Sequence, residues 1–145
     1  MNITYNLTNV EILDFQLPET KPQSGSLQVN CSFSFNIVPN ATGKPDCIEC
    51  TGALSYVAGM FVALSTQIKE TFRVSQQGWA MMCKDTMVTI PVDLQKELAL
   101  SVIGTARGAI AARTAGSWLQ PYFLPMIDPA AMIKEDLCFK AQMRK

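Results

Sequence analysis

An α+β domain is what this sequence predicts, and three observations predict it. Residues 27–37 alternate apolar and polar side chains without a break, the period of a strand with one wet face. Residues 94–115 are rich in Ala and Leu, contain no proline and repeat apolar positions at helical spacing, which marks a long helix. The chain has 145 residues, 48% of them hydrophobic, enough for one core and one folding unit over residues 1–145.

The elements follow in order. Ile3, Tyr5 and Leu7 alternate, the phase moves to Val10 and Ile12, and it moves again to Phe15 and Leu17, as in a strand that carries a bulge. Pro18 ends this run. The polar segment from Glu19 to Gly25 has the composition of an exposed crossover loop, and Leu27 to Ile37 is the second strand. Residues 39–46, with two prolines, Asn40 and Gly43, read as a turn. Cys47 to Val57 then forms the partner strand of an antiparallel hairpin.

Residues 57–72 fit two periods. Val57, Phe61, Leu64, Ile68 and Phe72 would line a helix face, while 62–74 also reads as a long strand, the reading favoured here. Gly78 to Ile90 leans towards strand. Pro91-Val92-Asp93 opens the long helix, with Asp93 placed to cap it, and Gly116-Ser117 closes it. Small residues, among them Gly104, Ala106, Gly108 and Ala111, spread around this helix and let partners approach on two faces, one of them a subunit contact. Trp118 to Pro129 is an apolar loop with three prolines, and Ala130 to Lys145 reads as a final amphipathic helix.

Composition excludes several function classes. Charge is balanced, with 12 Lys+Arg against 12 Asp+Glu, and no run of one sign is long enough to track nucleic acid or an anionic membrane. Histidine is absent, which removes the usual general base, the Ser-His and Cys-His pairs and the commonest zinc ligand. The eight glycines form no phosphate-binding loop. The longest apolar stretch, 53–64, falls short of the ~20 residues a spanning helix needs. The start of the chain has no secretory pattern, and the odd set of five cysteines suits a reducing, cytoplasmic setting. Four Asn-x-Ser/Thr sequons, at Asn2, Asn6, Asn30 and Asn40, would matter only in a secreted chain.

Cys47-Ile48-Glu49-Cys50 is the one Cys-x-x-Cys. On a strand, positions i and i+3 point to opposite faces, which suits structural cysteines; a redox pair wants its first cysteine at a helix N-terminus. The eight methionines and the group Trp118, Tyr122 and Phe123 carry a different message. Flexible thioethers and large aromatics suit surfaces that bind many unrelated sequences, besides filling cores.

Two stretches resemble the SecB export-chaperone family. Glu11-Ile12-Leu13-Asp14-Phe15-Gln16-Leu17-Pro18 is similar to the end of that family's first strand. Ala106-Arg107, Gly116 and Leu124-Pro125-Met126-Ile127-Asp128-Pro129 are similar to its Ala-Arg helix, its glycine turn and its Leu-x-Pro-Val-Asn-Phe loop. The middle strands align in more than one way. The resemblance implies a four-stranded antiparallel sheet with a long helix and a short C-terminal helix, assembled as a dimer of dimers.

It also implies an ATP-independent holdase without cofactor or catalysis that binds unfolded or partly folded polypeptides, in the service of protein export. Carried over by position, the peptide-binding residues are Phe15, Leu17, Trp118, Tyr122, Phe123, Leu124, Met126, Met132 and Leu137. This sequence departs from the family pattern at Ile103-Gly104-Thr105, where Phe-Pro-Tyr is common, and its tail from Lys140 is basic. Engagement of the export motor is therefore not supported. Two other readings stay open: a structural or adaptor subunit with one dedicated partner, including a SecB-like chaperone tied to a toxin-antitoxin pair, and a thiol enzyme using Cys47 and Cys50.

Overall fold

The computed structural model describes residues 3–18, 26–122 and 124–140. Four long strands form an antiparallel sheet: β1 (Tyr5–Gln16), β2 (Gln28–Pro39), β3 (Pro45–Ala58) and β4 (Phe61–Val74), in the order β1-β4-β3-β2. Two breaks in the β1–β4 register, at Leu7/Asn9 and Ile12/Asp14, coincide with the two phase shifts of the sequence. An extra residue at each point, Thr8 and Leu13, restores the apolar residues to one face. The crossover segment expected from Glu19 to Gly25 lies outside the described residues. Residues 61–74 are a strand, as favoured; the hairpin before them turns on Gly59 (φ 62°) and Met60, glycine taking the positive φ that a tight hairpin turn demands.

Period two sorts the side chains of the inner strands. Ile48, Cys50, Leu54 and Tyr56 of β3 and Leu64, Ile68 and Phe72 of β4 are buried on one face. The opposite face is polar and open, with Asn30 and Ser32 on β2 and Ser55, Ser65 and Gln67 across from them. Its acids Glu11 and Glu49 flank Lys69, at 3.8 and 3.3 Å.

After β4 the expectation of strand is half right. Gln76–Met82 is a short helix, α1, because Ser75 caps it by accepting from the Gly78 amide at 3.0 Å, and Trp79 and Met82 pack on one helical face. Two short strands follow, β5 (Cys83–Lys84) and β6 (Met87–Ile90). The long helix, α2, runs Val92–Arg113. Asp93 does not cap it; Asp136 reaches across and accepts from the Val92 amide at 2.9 Å.

Helix α2 covers the apolar face of β3 and β4. At Gly52 the approach is so close that a Cβ there would lie 2.6 Å from Val102 Cγ1. Within this interface Glu70 is fully buried and accepts hydrogen bonds from Ser101 and Thr105, both at 2.6 Å. These bonds satisfy a carboxylate that burial alone would penalise, and they fix the helix against β4.

The C-terminal helix expected over 130–145 is the main correction. Among the described residues there is only a 3-10 turn, Pro129–Ala131, capped by Asp128, and then a strand, β7 (Leu137–Lys140), antiparallel to β6. Pro129 sets a turn, and Asp136 is drawn off to the start of α2. The alternating Leu137-Cys138-Phe139-Lys140 completes a small second sheet, β5-β6-β7. Residues 141–145 lie outside the described residues. No described helix is long and apolar enough to cross a membrane.

Candidate functional site

Edge strand β2 is the natural starting point. Its Phe33, Phe35 and Ile37 turn towards the core yet stay half-buried, because α2 lies over β3 and β4. Three hollows open along this edge. One, of about 420 Å³, is lined by Leu27, Val29, Tyr56, Pro121, Tyr122 and Pro125. A second, of about 520 Å³, lies between Phe33 and Phe35 on one side and Met132, Leu137 and Phe139 on the other. The third, of about 390 Å³, continues from Phe139 along Ile37 and Pro39 to the 39–45 turn.

The loop after α2 forms the wall of the first hollow. Gly116 takes a positive φ of 81° where the helix ends. Arg107 then donates to the carbonyls of Leu124 and Pro125, at 3.5 and 3.2 Å, and Tyr56 Oη donates to the Tyr122 carbonyl at 3.5 Å. Trp118 meets Tyr122 edge to face at 6.3 Å. Its buried indole N–H has no acceptor among the described residues.

The expected binding residues divide between two places. Phe15 and Leu17 are half-buried near the end of α2, where the Arg113 guanidinium stands 4.9 Å over the Phe15 ring. Trp118 and Tyr122 belong to that end too. Met132 and Leu137 line the second hollow beside Gln95, at the start of α2. The helical rise puts about 27 Å between Gln95 and Arg113, so these are not one cluster. Leu124 is 5% exposed and sits in the core, Met126 stands free in solvent, and Phe123 lies outside the described residues.

Sequence reasoning passed over Phe33, Phe35 and Phe139. The first two were assigned to a buried face, and the third to a helix that does not form. The alternation of residues 137–140 was the signal available for Phe139. The methionines are more telling than expected: of the six described, Met60, Met81, Met87, Met126 and Met132 are exposed and only Met82 is buried.

The thiols have the wrong settings for redox chemistry. Cys47 and Cys50 lie on opposite faces of β3, both buried. Burial pushes the Cys50 thiol up to about 12, with Glu70 adding to the effect, and pushes Cys31 up to about 11. Cys47 is raised as well, first by burial and then by Asp46. A reactive thiol needs the reverse shift.

Comparison with known proteins gives a fold. No family model matches the chain, and no curated protein sequence matches it. Among solved structures it is similar to the Mycobacterium tuberculosis SecB-like chaperone Rv1957, solved in complex with a ChAD peptide from the HigA1 antitoxin Rv1956. The likeness covers 85% of this chain and 90% of that one, with a TM-score of 0.50 and 9% sequence identity. The SecB-like fold implied by the two sequence stretches is thus the fold observed, apart from the C-terminal helix.

Proposed function

We propose that this chain is an ATP-independent chaperone that holds unfolded or partly folded polypeptide, acting in the cytoplasm without cofactor or catalysis. The observation that carries this reading is the row of apolar hollows along the free edge of β2, walled by Phe33, Phe35, Tyr122, Met132 and Phe139. Apolar burial is non-directional and tolerates many sequences, while aromatic and Met side chains give large, adaptable contact. Nothing in such a surface needs nucleotide. The SecB-like neighbour adds support, since it was solved with a bound peptide.

A second reading is favoured by the identity of that peptide. A segment of an antitoxin sits on the neighbour, so one dedicated client is the natural alternative to general holding. Handover to an export motor is not part of the proposal, because the tail from Lys140 is basic.

The proposal includes a homo-oligomer, most simply a tetramer. Leu7, Val10 and Ile12 of β1 are 38–48% exposed although they lie on the helix side of the sheet. Leu100, Gly104 and Gly108 form a second exposed apolar row, along α2. Exposed apolar rows on an edge strand and on a small-residue helix face suit a second copy of the chain.

The test is direct. Purified protein without ATP should delay aggregation of two unrelated, chemically unfolded clients at stoichiometric amounts. Replacing Tyr122 and Met132 by Ala should weaken holding several-fold with circular dichroism unchanged. Protection of one client alone would favour the dedicated partner; protection of none would remove the general chaperone reading.

A further inference from the structure

We propose that Met132 is a reversible oxidation site through which a hydroperoxide loosens the hold on client polypeptide. The inference rests on the holding function proposed above and adds a chemical control to it. Methionine is ordinarily among the buried residues. Here the thioethers stand outside: Met60 and Met126 are free in solvent, Met81, Met87 and Met132 are 39–51% exposed, and Met82 alone among the described methionines is buried. An oxidant reaches sulfur in the order of its exposure.

Most of the thiols are poor competitors for that oxidant. Cysteine reacts through its thiolate, and burial pushes Cys50 up to about 12 and Cys31 up to about 11. Cys47 and Cys83 are raised too, in both cases first by burial. Cys138 is the one exposed thiol. It stands on β7 between Leu137 and Phe139, so its side chain leaves on the face opposite to theirs, with Sγ 3.4 Å from Thr89 Oγ1. Leu137 and Phe139 line the second hollow and Cys138 does not.

Position singles out Met132. The 3-10 turn Pro129–Ala131 ends on it, its amide donates to the Pro129 carbonyl at 3.0 Å, and buried Ile133 follows as an anchor. The Met132 side chain thereby forms part of the wall of the second hollow with Phe33, Phe35, Leu137 and Phe139. No other exposed methionine lines any of the three hollows along β2.

The chemistry is an oxygen transfer. A lone pair of Met132 Sδ attacks one peroxide oxygen, the O–O bond breaks and an S=O bond forms. Sulfur gives up two electrons, and the hydroperoxide leaves as an alcohol or, from hydrogen peroxide, as water. A methionine sulfoxide reductase reverses the step, two thiols becoming a disulfide and the oxygen leaving as water. The sulfoxide oxygen is a strong hydrogen-bond acceptor in an apolar wall, and covering it with client would strip its water. Losing one methionine-sized apolar contact lowers holding about tenfold.

Site and consequence are read separately. Full-length protein carrying Cys138→Ser, which removes the exposed thiol, is treated with hydrogen peroxide, quenched with catalase and digested for tandem mass spectrometry. Oxygen should be gained first at Met126 and Met60, then at Met81, Met87 and Met132, and last at Met82. Oxidation of Met82 ahead of Met132 would overturn the site. Delay of client aggregation is then compared between treated and untreated samples of each protein, so that any change in basal holding cancels. The ratio should fall about tenfold with Cys138→Ser alone, fall equally with Met126→Leu added, and stay near one with Met132→Leu added. Methionine sulfoxide reductase with dithiothreitol should restore it. A fall that persists with Met132→Leu, that resists the reductase, or that comes with lost circular dichroism overturns Met132 as the control. If untreated protein holds no client, the holding function fails and the control with it, while a treated sample whose holding never changes despite oxidised Met132 overturns the control and leaves holding intact.

Discussion

Replacing Gly52 by Ala tests the placement of α2 more sharply than any surface change. The new Cβ would lie 2.6 Å from Val102 Cγ1, with Phe33 ring carbons at 3.3 and 3.4 Å. Relaxed carbon contacts lie near ~3.5–4.0 Å, so the overlap with Val102 is close to ~1 Å. The phenyl ring can give a few tenths of an ångström, but Val102 is β-branched and stiff in a helix, so the helix itself must shift. Overpacking of this kind costs about 1–3 kcal/mol, partly offset by the ~0.4–1 kcal/mol gained on leaving glycine. The expected net loss is therefore about 1–2 kcal/mol. Val102→Ala alone removes two buried methyls and should cost about 2–3 kcal/mol. Together the changes should cost less than their sum by about 1–2 kcal/mol, since the alanine at 52 fills space that Val102 vacates. Urea unfolding at one fixed protein concentration, followed by Trp79 and Trp118 fluorescence, measures the cycle. Strict additivity, or a neutral Gly52→Ala, would refute the contact and with it the crossing point of the helix.

Two further predictions concern the thiols and the open helix face. The folded state holds the Cys31 and Cys50 protons up to about 11 and 12, above the ordinary thiol value. Stability from these groups is therefore intact below about pH 8.5 and is lost as pH rises towards 11–12. The urea midpoint should hold steady to about pH 8, then fall, and fall less in Cys50→Ala. In native protein a thiol reagent should label exposed Cys138 first, half-buried Cys31 more slowly and buried Cys50 last, and equal rates for Cys138 and Cys50 would contradict the burial of Cys50. A Cβ at Gly104 or Gly108 meets nothing within 4 Å, so Gly104→Leu with Gly108→Leu should leave circular dichroism unchanged. Light scattering should then report a smaller particle than wild type, and an unchanged mass would refute this face as the subunit contact.

What could be read from the sequence was set by local period. The alternation in 27–37, both phase shifts in β1 and the run 94–115 each placed an element, because side-chain direction repeats with backbone geometry. What could not be read depended on distant partners. Residues 76–82 turn helical on one Ser75 cap, and residues 137–140 become a strand only because β6 offers an edge. Asp93 looked like the cap of α2 by position, yet Asp136, 44 residues from the amide it accepts, performs that role. The candidate site suffered most from this. Period two shows that Phe33 and Phe35 share a face, but not that β2 is an edge strand whose face is half covered. Tyr122, Met132 and Leu137, which line hollows, were named as binding residues only through the family resemblance, and Leu124, named in the same way, sits in the core.

The strand order also bears on how assembly and holding relate. The apolar rows suited to a second copy lie on β1 and the exposed side of α2, and the hollows suited to a client lie along β2. Two paired strands, β4 and β3, stand between them over their full length. Hydrogen-bonded inner strands do not slide when one outer edge is occupied, because a register slip would move every buried side chain to the wrong face. Helix α2 reaches both regions, with Gln95 beside the second hollow and Gly104 and Gly108 on its exposed side. Its position is held by the Glu70 bonds to Ser101 and Thr105 and by the close contact at Gly52. On the proposed reading a bound client therefore meets a fixed helix and should leave the subunit contact unchanged. Holding and assembly should then be separable: the variant with Gly104→Leu and Gly108→Leu should fall in mass yet delay client aggregation as well as wild type, and a parallel loss of both would refute the separation.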